Sequence, residues 1–191
     1  MTVTALDPIT ALIAIDLQKG ITAMPVEPSP ASVIGHTVEL LEAFRAHGLP
    51  VVLVNVDAGA PGRTEAARDG GGPTSVMRRP GWTELVPELN AQPSDHRVTK
   101  KTWGAFHGTG LNQHLRELGV TQVVIAGIAT SAGVESTARQ AHELGFHVTL
   151  ATDAMTDRES ATHAHSIEKI FPRLGETGTT AEILELLEGA R

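Results

Sequence analysis

The 191-residue chain contains no cysteine. This absence excludes disulfide bonds, metal sites built on thiolates and any reaction that needs a thiol nucleophile from the protein. It does not fix the redox compartment, because a chain without thiols is indifferent to it. Aromatic residues make up only 3% of the sequence, so an aromatic side chain beside a motif is a candidate for lining a ligand pocket.

Positive charge is also scarce, since 15 Lys and Arg residues stand against 22 Asp and Glu, for a net charge of -7. Nucleic acids and anionic membranes require clustered cations that no segment supplies, so we expect a small neutral or weakly charged molecule as the ligand. The first residues lack a basic segment, and the apolar run at 11–15 is too short for a signal peptide or a membrane span. We therefore expect a cytoplasmic protein.

Short β-rich runs alternate with segments long enough for helices. Strands are predicted near residues 11–16, 51–56, 97–100, 122–128 and 147–152. Continuous apolar strands are typical of a parallel sheet that is covered on both faces. With right-handed crossovers, the pattern predicts an α/β fold, a three-layer α/β/α sandwich with a mainly parallel central sheet. The length and the 41% apolar content fit one domain over residues 1–191.

Apolar residues at helical spacing predict the crossover helices. One helix should end at Gly48 and another at Gly145, since glycine readily adopts the left-handed conformation that ends a helix. A third should begin at Thr109 and turn Leu118 inward. Residues 57–73 are rich in Gly and Pro and predict a surface loop, which either closes over a site or is a plain solvated excursion.

The junction of a predicted strand and helix at residues 123–139 is where we expect chemistry. Small residues at 129–133 separate the two elements. Backbone amides at the start of a helix lack intrahelical partners and carry the positive end of the helix dipole, so they can hold an anion or a developing oxyanion. Small side chains leave these amides open to a ligand.

Three predicted strands end in residues that are suited to one site. Ligands of open parallel sheets bind beyond the carboxyl ends of the strands. Asp16 ends the first strand, Lys100 ends the third and Gly133 follows the fourth, so we expect the three to share a crevice. The ammonium favours an ionised aspartate while burial opposes it, so the pair is either tuned for proton transfer or a structural ion pair.

These segments resemble the isochorismatase-like (cysteine hydrolase) superfamily. The resemblance runs nearly end to end and rests on residues 13–18, 99–109, 127–130 and 134–139. It implies that Asp16 is the catalytic aspartate and that Lys100 is the catalytic lysine, with Lys101 the less favoured choice. Gly133 stands where the family has its nucleophilic cysteine, so the nucleophile position is vacant.

The resemblance also implies an oxyanion hole formed by the amides of Ala129 and Gly133, a cis peptide bond before Ala129, and a homodimer or higher homo-oligomer. Five residues near the motifs are candidates for substrate binding: Gln18, Trp82, Trp103, Phe106 and Thr130. For Gln18 the alternative is a turn cap, and for Phe106 it is core packing.

Some members of the superfamily that lack the cysteine cleave a vinyl ether, with the aspartate as proton donor and water completing hydrolysis. The resemblance therefore implies acid/base hydrolysis of a small molecule, without a cofactor, by Asp16 and Lys100. The second hypothesis is a non-catalytic small-molecule-binding or scaffold homologue.

A serine hydrolase using Ser131 is the third hypothesis. Residues 129–133 come close to the G-x-S-x-G motif, and Asp153 and then His163 or His165 follow in the order of a catalytic triad. An alanine in place of the first glycine and the short chain weigh against it. The nine histidines form no H-E-x-x-H motif, and no dinucleotide or P-loop motif is present, so no metal or nucleotide cofactor is expected.

Overall fold

The computed structural model, which describes residues 3–57, 65 and 80–189, contains a six-stranded sheet. The strands are β1 (Thr10–Ile15), β2 (Val51–Val56), β3 (His96–Lys100), β4 (Gln122–Ile128), β5 (His147–Thr156) and β6 (Glu176–Gly178). They lie in the order β3-β2-β1-β4-β5-β6, and every neighbouring pair is parallel. The five predicted strands are confirmed. The short β6 was missed because its sequence has no apolar run.

Helices connect the strands and cover both faces of the sheet. They are α1 (Lys19–Thr22), α2 (Pro30–Ala46), α3 (Leu111–Glu117), α4 (Glu135–Glu143), α5 (Ser160–His165) and α6 (Thr180–Gly189). One π-helical turn, Thr130–Val134, leads into α4, and another, Ser166–Ile170, continues α5. Short 3-10 turns lie at Pro87–Leu89 and Phe171–Arg173.

The sheet separates two apolar cores. Successive side chains of a strand point to opposite faces, so one strand contributes to both cores. In β1, Ile13 and Ile15 lie in the core formed with α3 and α4. Leu12 and Ala14 lie in the core formed with α2 and α6. These four residues are buried, and the predicted three-layer α/β/α architecture is confirmed.

The prediction for α3 needs two corrections. The helix begins at Leu111, and Gly110 with a φ of 75° occupies the N-cap position instead of Thr109. The Thr109 hydroxyl still accepts a hydrogen bond from the Leu111 amide at 3.3 Å. Leu118 is 44% exposed, because α3 ends before it and it lies beyond the buried stripe of the helix.

The other local predictions have mixed outcomes. Gly48 and Gly145 adopt φ values of 66° and 78° directly after the C-cap residues of α2 and α4, as predicted. The predicted loop at 57–73 lies outside the described residues, apart from Asp57 and Glu65. Within the ranges that the structure describes, no helix is both long and apolar enough to cross a membrane.

Candidate active site

An aspartate and a lysine meet at the carboxyl edge of the sheet. Asp16 directly follows β1 and Lys100 ends β3, so the two side chains reach towards each other past the end of β2. Asp16 Oδ2 lies 2.7 Å from Lys100 Nζ. The two residues are only 5% and 2% exposed. The convergence predicted from the strand ends is confirmed, and the pair lies inside the protein.

The backbone turns sharply at Asp16. Its φ is 52°, in the left-handed region that aspartate tolerates better than most residues. Its amide still donates to the Val54 carbonyl at 2.9 Å, and its carbonyl accepts from the Gln18 amide at 2.8 Å. Asp16 is therefore held by β2 on one side and by the turn that follows on the other.

The two carboxyl oxygens of Asp16 have different surroundings. Oδ2 is held by Lys100, whereas Oδ1 is buried and has no hydrogen-bond partner among the described residues. Burial raises the pKa of Asp16 from 3.8 to about 6, although the charge and the hydrogen bond of Lys100 act in the opposite direction. Desolvation therefore outweighs the ammonium, and the pKa of the carboxyl group lies at about 6 rather than near its ordinary value of 3.8.

Lys100 is held from a second direction by the segment that follows it, residues 101–106, here named the lysine loop. The loop turns back so that the carbonyl of Trp103 accepts a hydrogen bond from Lys100 Nζ at 2.7 Å. The Trp103 residue is 64% exposed. Its carbonyl thus reaches the ion pair, while its indole is not enclosed by the described part of the protein.

Gly133, in the turn before α4, faces the ion pair. A Cβ atom added to Gly133 would lie 3.1 Å from Asp16 Oδ2, 3.4 Å from Lys100 Nζ and 2.9 Å from Ile15 Cγ2. A side chain at this position would therefore point at both charged groups. Gly133 does not have a positive φ, so the limit on substitution is the Ile15 methyl group rather than the backbone conformation.

The elbow, residues 129–134, is fixed by hydrogen bonds from several elements. The peptide bond between Ile128 and Ala129 is cis, as the resemblance implies. The carbonyl of Ala129 accepts hydrogen bonds from two amides of the turn, each at 3.1 Å. The Ser131 amide donates to Asp157 Oδ2 at 2.7 Å. The wholly buried Thr130 hydroxyl shares a hydrogen bond of 2.8 Å with His163 Nδ1.

Three of the remaining candidate residues make contacts within the fold. The side chain of the fully buried Gln18 donates to the carbonyls of Val56 and Trp82 at 3.2 and 3.1 Å and accepts from the Val56 amide at 2.7 Å. Trp82 is 7% exposed and packs so closely on Gly20 that a Cβ atom there would overlap its indole. Phe106 lies in the core, with its ring centroid 5.8 Å from that of another phenylalanine. Phe106 is packed in the core, which is its structural alternative. Among the described residues, the Gln18 side chain makes no cap hydrogen bond at the start of α1 and joins Val56 to Trp82 instead, so the turn-cap alternative is wrong.

The residues of the proposed serine triad do not assemble. Asp153 Oδ1 accepts hydrogen bonds from the amide and hydroxyl of Thr180 at 2.8 and 2.9 Å and so caps α6. His163 pairs with Thr130 rather than with Ser131. In the described part of the chain, no hydrogen bond joins the Ser131 hydroxyl to His163 or His165, or either histidine to Asp153, which weighs against the serine hydrolase hypothesis.

Sequence reasoning missed two polar residues that organise the site, Asp157 and Thr137. Asp157 directly follows β5, so the strand-end pattern that identified Asp16 carried the signal for it as well. Thr137 lies in one of the segments that resemble the family, but no sequence pattern indicated a role for its side chain. Among residues 3–57 and 80–189, no group of three or more His, Cys, Asp or Glu side chains is arranged to hold a metal ion.

Comparisons with known proteins point to the same family that the sequence motifs resemble. The family model described as Isochorismatase domain matches residues 10–182. The uncharacterized isochorismatase family protein YwoC of Bacillus subtilis is 42% identical over 182 residues, which are 92% of this chain and 93% of that protein. Streptothricin hydrolase of Streptomyces noursei is 35% identical over 147 residues, 76% of this chain and 49% of the hydrolase.

Among solved structures, an isochorismatase family protein from Burkholderia thailandensis is 39% identical and matches with a TM-score of 0.90, covering 96% of this chain and 98% of that one. The sequence and structural similarities both extend over nearly the whole chain, which belongs to the isochorismatase family.

Proposed function

We propose that the protein hydrolyses a small vinyl ether, or a related small molecule, by acid/base chemistry that uses Asp16 and Lys100 and needs no nucleophile from the protein. The supporting observation is the state of Asp16. Its carboxyl group is buried and its pKa is raised to about 6. Lys100 holds one oxygen, and the other has no hydrogen-bond partner in the part of the chain that the structure describes. An acid of this kind can hold a proton and release it near neutral pH.

The geometry favours Oδ1 as the oxygen that carries the proton, because Oδ2 accepts from Lys100. Transfer of the proton from Asp16 to the terminal carbon of a vinyl ether forms an oxocarbenium ion. Water then adds to this ion and returns a proton to the Asp16 carboxylate. The resulting hemiketal separates into a ketone and an alcohol, so one water molecule is consumed and the acid is regenerated.

Lys100 supports the first step by stabilising the carboxylate that remains when the proton has left. Gly133 supports the second step because it fills none of the space beside the pair, and we expect water or substrate there. The amides of Ala129 and Gly133 would polarise a substrate oxygen in the manner of an oxyanion hole. The absence of cysteine from the chain is consistent with a water-based route.

Isochorismate provides the test, since hydrolysis of its vinyl ether releases pyruvate that lactate dehydrogenase and NADH detect continuously. We expect turnover by the wild type and none above background by Asp16→Asn, whereas Ser131→Ala should retain it. Turnover that survives Asp16→Asn would refute the proposed role of the acid. Calorimetric binding of isochorismate by a wild type that shows no turnover would instead support the non-catalytic hypothesis.

A further inference from the structure

Thr137 bridges the two segments that form the site. It lies on α4, one turn after Gly133, and is completely buried. Its hydroxyl donates to the Gly133 carbonyl at 2.6 Å and accepts from the Ala105 amide at 3.1 Å. Ala105 belongs to the lysine loop, so a single hydroxyl connects the elbow to the segment that holds Lys100.

The second of these bonds distinguishes Thr137 from an ordinary helical threonine. A buried threonine commonly donates to the carbonyl four residues earlier. Thr37 on α2 is an example, since it is fully buried and donates to the Val33 carbonyl at 2.8 Å. The Thr137 hydroxyl makes the same local bond but also accepts a hydrogen bond from the backbone amide of Ala105, 32 residues earlier in the chain. That contact serves the tertiary structure rather than the helix.

The lysine loop is fastened to α4 at two neighbouring positions. Besides the bond at Ala105, the Phe106 amide donates to Gln140 Oε1 at 3.0 Å. The same loop supplies the Trp103 carbonyl that accepts from Lys100 Nζ. A shift of the loop away from α4 would therefore move this carbonyl and loosen the hold on the ammonium.

We propose that Thr137 is a positioning residue for the Asp16–Lys100 pair, because its hydroxyl fixes the lysine loop, and with it the Lys100 ammonium, relative to the Gly133 backbone. The catalytic meaning of this role rests on the proposed function. The geometry itself requires no substrate, so it is testable in the free protein.

Thr137→Val is the direct test, because valine keeps the shape of the side chain and removes only the hydroxyl. The Asp16 carboxyl group is titrated by ¹³C NMR, with its signal assigned by its loss in Asp16→Asn. A loosened ammonium stabilises the carboxylate less, so we expect the Asp16 midpoint to rise by about one pH unit. Thr137→Ser retains the hydroxyl and should restore the midpoint towards the wild-type value.

Thr37→Val is the matched control. It removes a buried hydroxyl with the same local helical bond from the opposite face of the sheet. A purely structural role for Thr137 predicts that both valine variants lower Tm and that neither moves the Asp16 midpoint. We expect the midpoint to move in Thr137→Val alone.

A folded Thr137→Val whose Asp16 midpoint equals that of the wild type would overturn the inference. If this variant does not fold, Gln140→Met removes the second fastening at a partly buried position. An upward shift then supports the inference, and an unchanged midpoint overturns it.

If the wild type shows no isochorismate turnover, the proposed function fails while the titration still reports on Thr137. Where turnover is present, we expect Thr137→Val to lower kcat by up to about 100-fold, with a smaller change in KM.

Discussion

Replacing Lys100 by methionine removes the ammonium that lies 2.7 Å from Asp16 Oδ2 and keeps an unbranched side chain in the buried space. Burial raises the pKa of Asp16, and the charge and hydrogen bond of Lys100 lower it. The substitution abolishes both lowering influences and leaves the burial in place. We therefore expect the pKa of Asp16 in Lys100→Met to rise above its value of about 6.

The size of the rise is bounded by simple electrostatics. Two unit charges 2.7 Å apart attract each other by about 6 kcal/mol at an effective dielectric constant of about 20. This energy corresponds to between about 4 and 5 pKa units and is an upper limit, because water enters a loosened site. An opposite charge typically shifts a carboxyl pKa by about 1–3 units. We expect an Asp16 midpoint between about 7 and 9 in the variant.

The assay is a ¹³C NMR titration of the Asp16 carboxyl group, assigned with Asp16→Asn. Lys101→Met is the matched control, because it removes the same charge from the next residue, which is exposed and screened by solvent. The control should titrate like the wild type. A midpoint that stays at about 6 or falls in Lys100→Met would refute the view that this ammonium opposes the effect of burial on Asp16.

The same carboxyl group makes stability depend on pH, which gives a second readout of the same reasoning. The folded-state pKa of about 6 lies above the unfolded value of 3.8, so the folded protein binds more protons between these values. The contribution of Asp16 to stability therefore falls as pH rises from about 4 to 6, by about 3 kcal/mol in total. In Lys100→Met this fall should continue to higher pH, as urea unfolding at a series of pH values will show.

Three further predictions concern the elbow and the assembly. Gly133→Cys should place a thiol beside the buried ion pair, where we expect the ammonium and the helix start to outweigh the Asp16 carboxylate and to lower the thiol pKa below about 8.5. Iodoacetamide alkylation with the pH dependence of free cysteine would contradict this. His163→Ala removes the partner of the buried Thr130 hydroxyl and should lower the free energy of unfolding by about 1–3 kcal/mol. The exposed His165→Ala should change it by less than about 0.5 kcal/mol, and equal losses in urea unfolding would contradict the role of the bond. Light scattering should give the mass of a homodimer or larger assembly rather than the 20.1 kDa of one chain.

The parts of the site that could be predicted are those that depend on strand order and strand ends. Apolar runs revealed the central strands because both of their faces are buried. In a parallel sheet the carboxyl ends of all strands lie at one edge, so Asp16, Lys100 and the elbow are expected to lie at that edge. The two charged groups are in contact at that edge, with 2.7 Å between Asp16 Oδ2 and Lys100 Nζ.

Side-chain partners were harder to predict because they depend on residues that are distant in the sequence. The side-chain amide of Gln18 donates hydrogen bonds to the carbonyls of Val56, at the end of β2, and of Trp82. No local sequence pattern reveals these partners. The Trp103 carbonyl accepts a hydrogen bond from Lys100 because the lysine loop turns back. Every residue has a backbone carbonyl, so the residue type at this position could not predict the contact. The bond from Ala105 to Thr137 likewise appears only when the loop packs on α4.

The structural alternative for Asp16 and Lys100, a simple buried ion pair, is weakened by another ion pair in the same chain. Asp95 is also buried, yet both of its oxygens accept hydrogen bonds from Arg45, at 3.2 and 2.6 Å, and Oδ2 accepts a further one from the Gln92 amide at 2.7 Å. A pair retained for packing is expected to satisfy its oxygens in this way, since an unpaired buried acceptor is costly. Asp16 Oδ1 has no such bond to any described residue, and the pKa of Asp16 is raised although Lys100 pairs with it. A carboxyl group kept in this state is better explained by proton transfer than by stability, and Oδ1 is the oxygen to which the proposed mechanism assigns the proton.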